Sequence, residues 1–377
     1  MSELIQAITM PKWGLAMSEG LVTAWHVELS AEVQRGQELV DIETEKIVNV
    51  FESPASGILR RRLVAVGDTV PVGALLGVVA SEAVSDTEID AHIEKFNAEF
   101  ADVLAARADE EVHGPEPEVL DVAGRAARYL AMGEGNGVPL LLLHGFGGDL
   151  NNWLFNQPTL AVERRVFALD LPGHGGSAKV LAGVGVEALA DDVAGFVAAA
   201  ELSSLHLAGH SLGGAVAIEL ARRTPQQVRS LTLIASAGLG QDIDAEYIRG
   251  FIAAGRRKDL KPWIERLFAD TSLVRRDMLD DILKFKRLDH VTDILTSIAD
   301  SVFAGGHQAL VLRDTLAALD MPRQVIWGAQ DRIIPASHSE GLPSAVGVHV
   351  LDGAGHMVHM EKAAEVTALI EKLMDSA

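Results

Sequence analysis

The spacing of apolar and polar positions changes character twice along the 377 residues. Over residues 1–80 the apolar runs are short and broken by glycine: LVTAWHVEL, QELVDIE, IVNVF, GILRRRLV and ALLGVVA. Short runs bounded by turn residues predict strands. They also repeat at an offset of 37: Gly20 recurs as Gly57, Leu21 as Ile58, Val27 as Val64, Val33 as Val70, Gly36 as Gly73 and Leu39 as Leu76. Glycines and apolar positions that recur together predict two similar halves of a small β-sandwich or barrel. The run DIETEKIV falls between the halves, which places Lys46 at the tip of the hairpin joining them.

Residues 81–118 break the strand pattern. They hold 12 acidic residues against 2 basic ones, about half of the chain's excess charge. Ile89, Ile93, Phe96, Phe100 and Val103 recur at spacings of four and three, which aligns them on one face of a helix. Ser85 with Glu88 three residues on predicts a capping box at its start. That apolar face either docks on its own protein or packs on a partner or a second copy. The following HGPEPEV predicts an extended, flexible tail.

From 119 to 377 the text alternates. Strand candidates LLLLH, RVFALD, LHLAGH, SLTLIAS, RQVIWG and VHVLD are mostly separated by helical patterns. That order predicts a mainly parallel sheet with helices on both faces. Between about 239 and 320 the strands vanish, so an all-helical insertion is expected to cap the carboxyl edge of the sheet.

The chemistry concentrates at strand ends. LHLAGHSLGGAVAIELARR is a strand, then Gly209-His210-Ser211-Leu212-Gly213, then a helix. The G-x-S-x-G spacing suits a serine on a sharp turn, where side chains two residues either side would clash. The Leu212 N–H and the helix dipole then face a developing oxyanion. A nucleophilic serine needs a base, and the base needs an orienting acid. His356, in LDGAGHMVHM after the last strand, is the first choice for the base, and His359 is the second. His210 is expected to point its ring elsewhere. Asp331, in IWGAQDRIIP after the preceding strand, supplies the acid, and Ser211, Asp331, His356 is the order this kind of sheet requires. In LLLLHGFGGDLNNW the glycines let backbone approach a substrate. The Phe146 N–H is the candidate second oxyanion donor, with His144 fixing its loop. DLPGHGGSA is a second glycine-rich loop at the same mouth.

Charge and composition narrow the partners. A net charge of −21 argues against nucleic acid or an anionic membrane. No cysteine is present, which removes disulfides and thiolate chemistry. MSELIQAITM has no basic stretch followed by an apolar core, and no apolar run is long enough to span a bilayer, so a soluble cytoplasmic protein is expected.

The ordered set H-G-F-G-G, D-L-P-G-H-G-x-S, G-H-S-L-G-G, G-x-x-D and G-x-G-H over about 260 residues resembles the α/β-hydrolase fold family. MPKWGLAMSEG, IETEKIV and SPASGIL, over the first 80 residues, resemble a lipoyl domain, a barrel-sandwich hybrid. That resemblance implies lipoic acid in amide linkage to Lys46. A biotinyl domain usually has Met on both sides of its lysine, whereas Glu45 and Ile47 stand here. The chain therefore reads as multidomain: a lipoyl domain (1–80), an acidic linker with an amphipathic helix (81–118), and a hydrolase-fold catalytic domain (119–377) with a helical cap.

A lipoyl domain followed by an acyl-handling domain is the plan of 2-oxo-acid dehydrogenase acyltransferases. The D-H-R-x-x-D-G run of their usual catalytic domain is absent, since Asp289-His290 continues as Val-Thr. The combination is similar instead to the acetyltransferase component of bacterial acetoin dehydrogenase systems. That similarity implies an acetyl group carried as a thioester on the Lys46 arm, taken by Ser211 and passed to coenzyme A. It implies a thiamine-diphosphate-dependent acetoin dehydrogenase component, dihydrolipoamide dehydrogenase and a lipoate ligase as partners, and a homo-oligomer. Arg222-Arg223 and Arg256-Arg257-Lys258 are candidates for the coenzyme A phosphates, or are simply solvated. The same triad would also suit a thioesterase or small-substrate hydrolase, and a third reading leaves the chain a non-catalytic lipoyl carrier.

Overall fold

The computed structural model describes residues 5–11, 19–43, 48–113 and 115–377, with side chains for all of these except 48–49 and 102–113. The chain forms two compact units, 1–114 and 115–377.

In the first unit β1 (Ile5–Thr9), β2 (Glu19–Trp25), β3 (Glu32–Val33), β4 (Glu38–Glu43), β5 (Val48–Glu52), β6 (Gly57–Arg62), β7 (Thr69–Pro71) and β8 (Leu75–Ala80) form two sheets. Their strand orders are β1-β8-β6-β3 and β5-β4-β2-β7, with every pairing antiparallel. Exchanging the first four strands with the last four converts one order into the other. The sequence repeat is therefore a twofold relation between the sheets. Val33, Leu39 and Leu76 are fully buried between them, with Val27 and Val64 nearly so. Gly36 and Gly73 occupy equivalent turns at φ 83° and 90°, a left-handed conformation that glycine adopts without strain. β4 and β5 pair in the register Glu43↔Val48. Residues 44–47, Lys46 among them, lie outside the described residues. In the twofold relation this interval corresponds to the point where the chain enters at Ile5 and leaves at Ala80, themselves paired.

Helix α1 (Asp86–His113) follows β8. Ser85 and Glu88 form the capping box: the Ser85 N–H donates to Glu88 Oε2 at 2.9 Å and the Glu88 N–H to Ser85 Oγ at 3.3 Å. Ile89, Ile93 and Phe96 pack on Leu75, Val78, Ala80 and Val84. The Phe100 ring closes on Gly73, where a Cβ would lie 3.0 Å from it. Over residues 89–100, then, the apolar stripe covers its own β-unit.

The second unit is built on one sheet. β9 (Glu118–Val122), β10 (Arg125–Leu143), β11 (Arg164–Leu169), β12 (Leu205–His210), β13 (Val228–Ile234), β14 (Arg323–Gly328) and β15 (Val346–Leu351) run in the order β11-β10-β12-β13-β14-β15. All of these pair in parallel, and β9 adds antiparallel to β10. The antiparallel β9–β10 hairpin was not among the expected strands. Apart from Val122, β9 and the paired first part of β10 are half-buried or exposed, so the hairpin lacks the continuous apolar run of the central strands. Its signal was the Ala123-Gly124 turn, with φ of 52° and 79°.

Helices α2 (Gln157–Leu160), α3 (Val186–Ala199), α4 (Leu212–Arg223), α10 (Val358–Glu361) and α11 (Ala363–Asp375) flank the sheet strands in sequence. α5 (Ala245–Ala253), α6 (Arg257–Glu265), α7 (Arg276–Lys286), α8 (Val291–Val302) and α9 (Arg313–Ala318) fill the interval between β13 and β14. Among the described residues no helix is long and apolar enough to cross a membrane.

Ile89 is fully buried against Leu75, Val78 and Ala80. Ile89→Ala is expected to destabilise the first unit by about 2–4 kcal/mol, the usual result of such a truncation. Denaturant unfolding of the first unit's transition checks this, and an unchanged midpoint would mean that α1 does not dock.

Candidate active site

Ser211 sits where β12 turns into α4, at φ 52° and ψ −118°. Neighbouring glycines make this possible. A Cβ at Gly209 would lie 2.3 Å from the Gly213 carbonyl oxygen, and one at Gly213 would lie 2.5 Å from the carbonyl oxygens of Leu143 and His144. Only bare backbone fits, which is the physical content of the G-x-S-x-G spacing. Leu212 is the first residue of α4, and the opening N–H groups of a helix have no partner within it.

The Gly145-Phe146 peptide lies against this turn, for a Cβ at Gly145 would be 3.0 Å from Ser211 Cβ. The Gly145 carbonyl accepts from His144 Nδ1 at 2.8 Å and from the Gly148 N–H at 3.1 Å. His144 Nε2 in turn accepts from the Leu171 N–H at 2.9 Å, so the ring is neutral with its proton on Nδ1. A trans peptide points its N–H opposite its C=O. Holding the Gly145 carbonyl therefore fixes the direction of the Phe146 N–H. Among the described residues neither the Phe146 nor the Leu212 N–H meets an acceptor.

Asp331 and His356 come together at the carboxyl ends of β14 and β15. His356 Nδ1 lies 2.8 Å from Asp331 Oδ2. The Asp331 side chain is fully buried, yet each oxygen is satisfied. Oδ2 also accepts from Trp327 Nε1 at 3.0 Å, and Oδ1 accepts from the N–H groups of Ile333 and Ile334 at 2.8 and 3.0 Å. A carboxylate can only accept, so it holds the His356 proton on Nδ1 and leaves Nε2 free to act as a base. Ser211 Oγ makes no hydrogen bond among the described residues, and such contacts often tighten only when substrate binds.

Other buried histidines crowd the site without a carboxylate. Burial holds His359 near a pKa of about 3, and its ring lies tilted between those of Trp153 and His210 at 4.8 and 4.5 Å. It therefore does not replace His356. His210 does not point away from the site. Its Nε2 donates to the His356 carbonyl at 3.0 Å, and its ring lies 4.8 Å from the His356 ring. Burial, followed by the neighbouring His359 and His356, pushes its pKa well below the usual value. Sequence adjacency gave no hint of this contact.

Of the basic runs, Arg222 and Arg223 are both committed to the buried Glu219, each at 2.7 Å, and Arg223 also pairs with Asp191. Arg256 pairs with Asp259 at 2.7 Å and Arg257 with Asp280 at 3.0 Å. Lys258 meets no acid among the described residues.

Residues 138–363 match the alpha/beta hydrolase fold family, and residues 6–79 match a family described as biotin-requiring enzyme. A curated relative from Pseudomonas putida, the dihydrolipoyllysine-residue acetyltransferase component of its acetoin cleaving system, is 49% identical over 362 residues, 96% of each chain. This chain belongs to that family. The corresponding component from Cupriavidus necator is 44% identical over 371 residues, 98% of each chain. A solved membrane phospholipase A, a bacterial virulence factor, superposes with a TM-score of 0.62 at 25% identity, covering 77% of this chain and 95% of its own.

The buried histidines predict an acid-sensitive family member. Burial is the first cause in each case: it holds His144 and His206 near a pKa of about 4 and His174 and His359 near about 3, against an ordinary 6.5. The unfolded chain takes up these protons below pH ~6.5 and the folded chain only nearer pH 3–4, so stability declines as pH falls through that window. Asp149 and Asp170, whose carboxyl pKa values burial raises, act in the opposite sense at the acid end. The melting temperature of the second unit, followed by near-UV circular dichroism, is expected to drop from pH 7 to 4.5. A flat profile would contradict the burial of these rings.

Proposed function

We propose that this chain moves an acetyl group from a lipoyl arm on Lys46 to coenzyme A, through an acetyl-serine at Ser211, in acetoin catabolism. The observation that carries the chemistry is the 2.8 Å Asp331–His356 hydrogen bond, with His356 tied through its carbonyl to His210, the residue before a serine held at positive φ. Near-full-length similarity to two acetoin-cleaving acetyltransferase components supports the substrate class.

Lys46 falls in sequence between the paired residues Glu43 and Val48. The dihydrolipoyl group of the relatives, with Glu45 and Ile47 beside the lysine, favours lipoic acid over biotin. Bound there, the lipoyl group supplies an acetyl thioester. A shared chain keeps that thioester at an effective concentration of about a millimolar.

His356 Nε2 takes the Ser211 proton as Oγ attacks the thioester carbonyl. The Phe146 and Leu212 N–H groups receive the negative charge on oxygen. The carbon–sulfur bond breaks, and His356 returns the proton to the departing thiolate. In the second half His356 deprotonates the coenzyme A thiol, which attacks the acetyl-serine and frees Ser211. Asp331 stabilises the imidazolium in both halves. α5–α9 serve as a cap that limits water, favouring thiol over hydrolysis. Phe251 of α5 packs on Gly147 of the Phe146 loop, where a Cβ would lie 2.5 Å from its ring. The partners in this reading are a thiamine-diphosphate-dependent acetoin dehydrogenase component, dihydrolipoamide dehydrogenase and a lipoate ligase, with a cytoplasmic homo-oligomer as the setting.

Lipoylated protein carrying radiolabelled acetyl on its arm is expected to yield acetyl-coenzyme A only when coenzyme A is added, and not after Ser211→Ala. Free acetate formed at a rate indifferent to coenzyme A would make the chain a tethered thioesterase. No release from the parent chain would leave it a carrier.

Arg222 and Arg223 share a buried acid, whereas Arg256 and Arg257 pair with partly exposed ones and Lys258 meets no acid among the described residues, so the Arg256-Arg257-Lys258 run is the better phosphate candidate. Alanine at all three is expected to raise the Michaelis constant for coenzyme A about tenfold, or about 1.4 kcal/mol of binding, and to leave that for pantetheine unchanged. An unchanged constant for coenzyme A would remove the run from the site.

A further inference from the structure

The stretch where α6 ends is fastened to the two loops that carry Asp331 and His356. Arg332, next to Asp331, donates from Nη2 to the carbonyl oxygens of Glu265 and Phe268 at 3.0 and 2.7 Å. The Met357 N–H, next to His356, donates to the Leu267 carbonyl at 3.0 Å. The Glu361 carboxylate joins the two sides. Its Oε1 accepts from the N–H groups of Ala269 and Asp270 at 2.8 and 3.0 Å, and its Oε2 accepts from the Gly355 N–H at 2.6 Å. The fit is close, since a Cβ at Gly355 would lie 2.8 Å from the Leu267 carbonyl oxygen and 2.9 Å from the Ala269 nitrogen.

We propose that Glu361 is a positioning residue that couples docking of the α6–α7 segment to placement of His356. The inference rests on the reading of Ser211 and His356 as nucleophile and base.

Three consecutive backbone units around the base are held. The Gly355 N–H goes to Glu361, the His356 carbonyl to His210, and the Met357 N–H to Leu267. Two of these three ties depend on residues 265–270 being in place. Only a carboxylate offers two oxygens with spare lone pairs and no hydrogen, so only it can bridge three N–H donors. Such bonds are charge-assisted and stronger than neutral ones. If 265–270 lifts, the Leu267 and Arg332 contacts and two of the three Glu361 bonds are lost together. The backbone after His356 is then free, and the backbone before it is held only by a Glu361 carboxylate that has lost its other two donors, so the His356 Nδ1 loses alignment with Asp331. Helix α6 opens at the Arg256-Arg257-Lys258 run and closes at this latch. A polyphosphate cosubstrate engaging that run would therefore favour the docked state, in which the base is aligned.

Glu361→Gln tests the idea in the full-length lipoylated protein. Gln keeps the shape but places an NH2 opposite an N–H on one arm. The expected result is a fall in kcat of about tenfold to a hundredfold, the size of one charged hydrogen bond, with KM for coenzyme A within about twofold. The kcat–pH profile should shift with it. A folded Glu361→Gln with parent kcat and pH profile would overturn the proposal, whatever happens to its melting temperature. The unmodified protein supplies a second test that needs no variant: by hydrogen exchange, Gly355, Ala269 and Asp270 are expected to open with one common free energy. Independent opening of Gly355 would overturn the coupling. If the parent enzyme shows no Ser211-dependent turnover, the reading of the site fails, and the exchange measurement still decides the latch.

Discussion

A serine held at φ 52° and ψ −118° needs bare backbone on both sides, and the rest of the site is arranged around that need. Gly209 and Gly213 touch each other's backbone, and Gly213 also touches the end of β10. That contact fixes where β10 ends. It brings the Gly145-Phe146 peptide beside Ser211 and sets α4 with its free N–H groups behind that residue. A single methyl group at Gly209 or Gly213 would have to displace main chain rather than a flexible side chain. The strain at Ser211 persists because β12 before it and α4 from Leu212 to Ala221 after it are buried.

The base side is built differently, from loops rather than from a strained turn. Loops need fastening, and here the fastening is by hydrogen bonds, most of them from buried or half-buried polar groups. Asp331 uses both carboxylate oxygens, His210 holds the His356 carbonyl, and Glu361 and Arg332 join the loops to the end of α6. Each buried polar group that has a partner stiffens the loop, and one left without a partner would destabilise it. The neutral state of the surrounding histidines fits the same scheme. A second positive charge beside the His356 imidazolium would oppose its formation, and burial prevents it.

Much of this was legible in the sequence because it depends on local backbone requirements. The turn at Ser211 is written in two glycines, the sheet in apolar runs at strand length, and the capping box of α1 in Ser85 and Glu88. The 37-residue repeat carried more than it first revealed, since it maps one sheet of the first unit onto the other. What stayed hidden joins residues distant in sequence. Nothing near Glu361 says that it meets Ala269 and Asp270, about ninety residues earlier. His210 looked like a bystander because its contact, His356, lies 146 residues away. The basic runs looked alike until the structure paired Arg222 and Arg223 with the buried Glu219, and Arg256 and Arg257 with partly exposed acids. The β9–β10 hairpin escaped because its strands are only half-buried.

The central claim is that acetyl passes through Ser211 itself and does not move directly between two bound thiols. Rapid quenching of the acetyl-loaded protein without coenzyme A, followed by peptide mass analysis, tests it. The account predicts an acetyl adduct on the peptide containing Ser211 that disappears when coenzyme A is added. Transfer to coenzyme A at the full rate, with no adduct at any time, would contradict it.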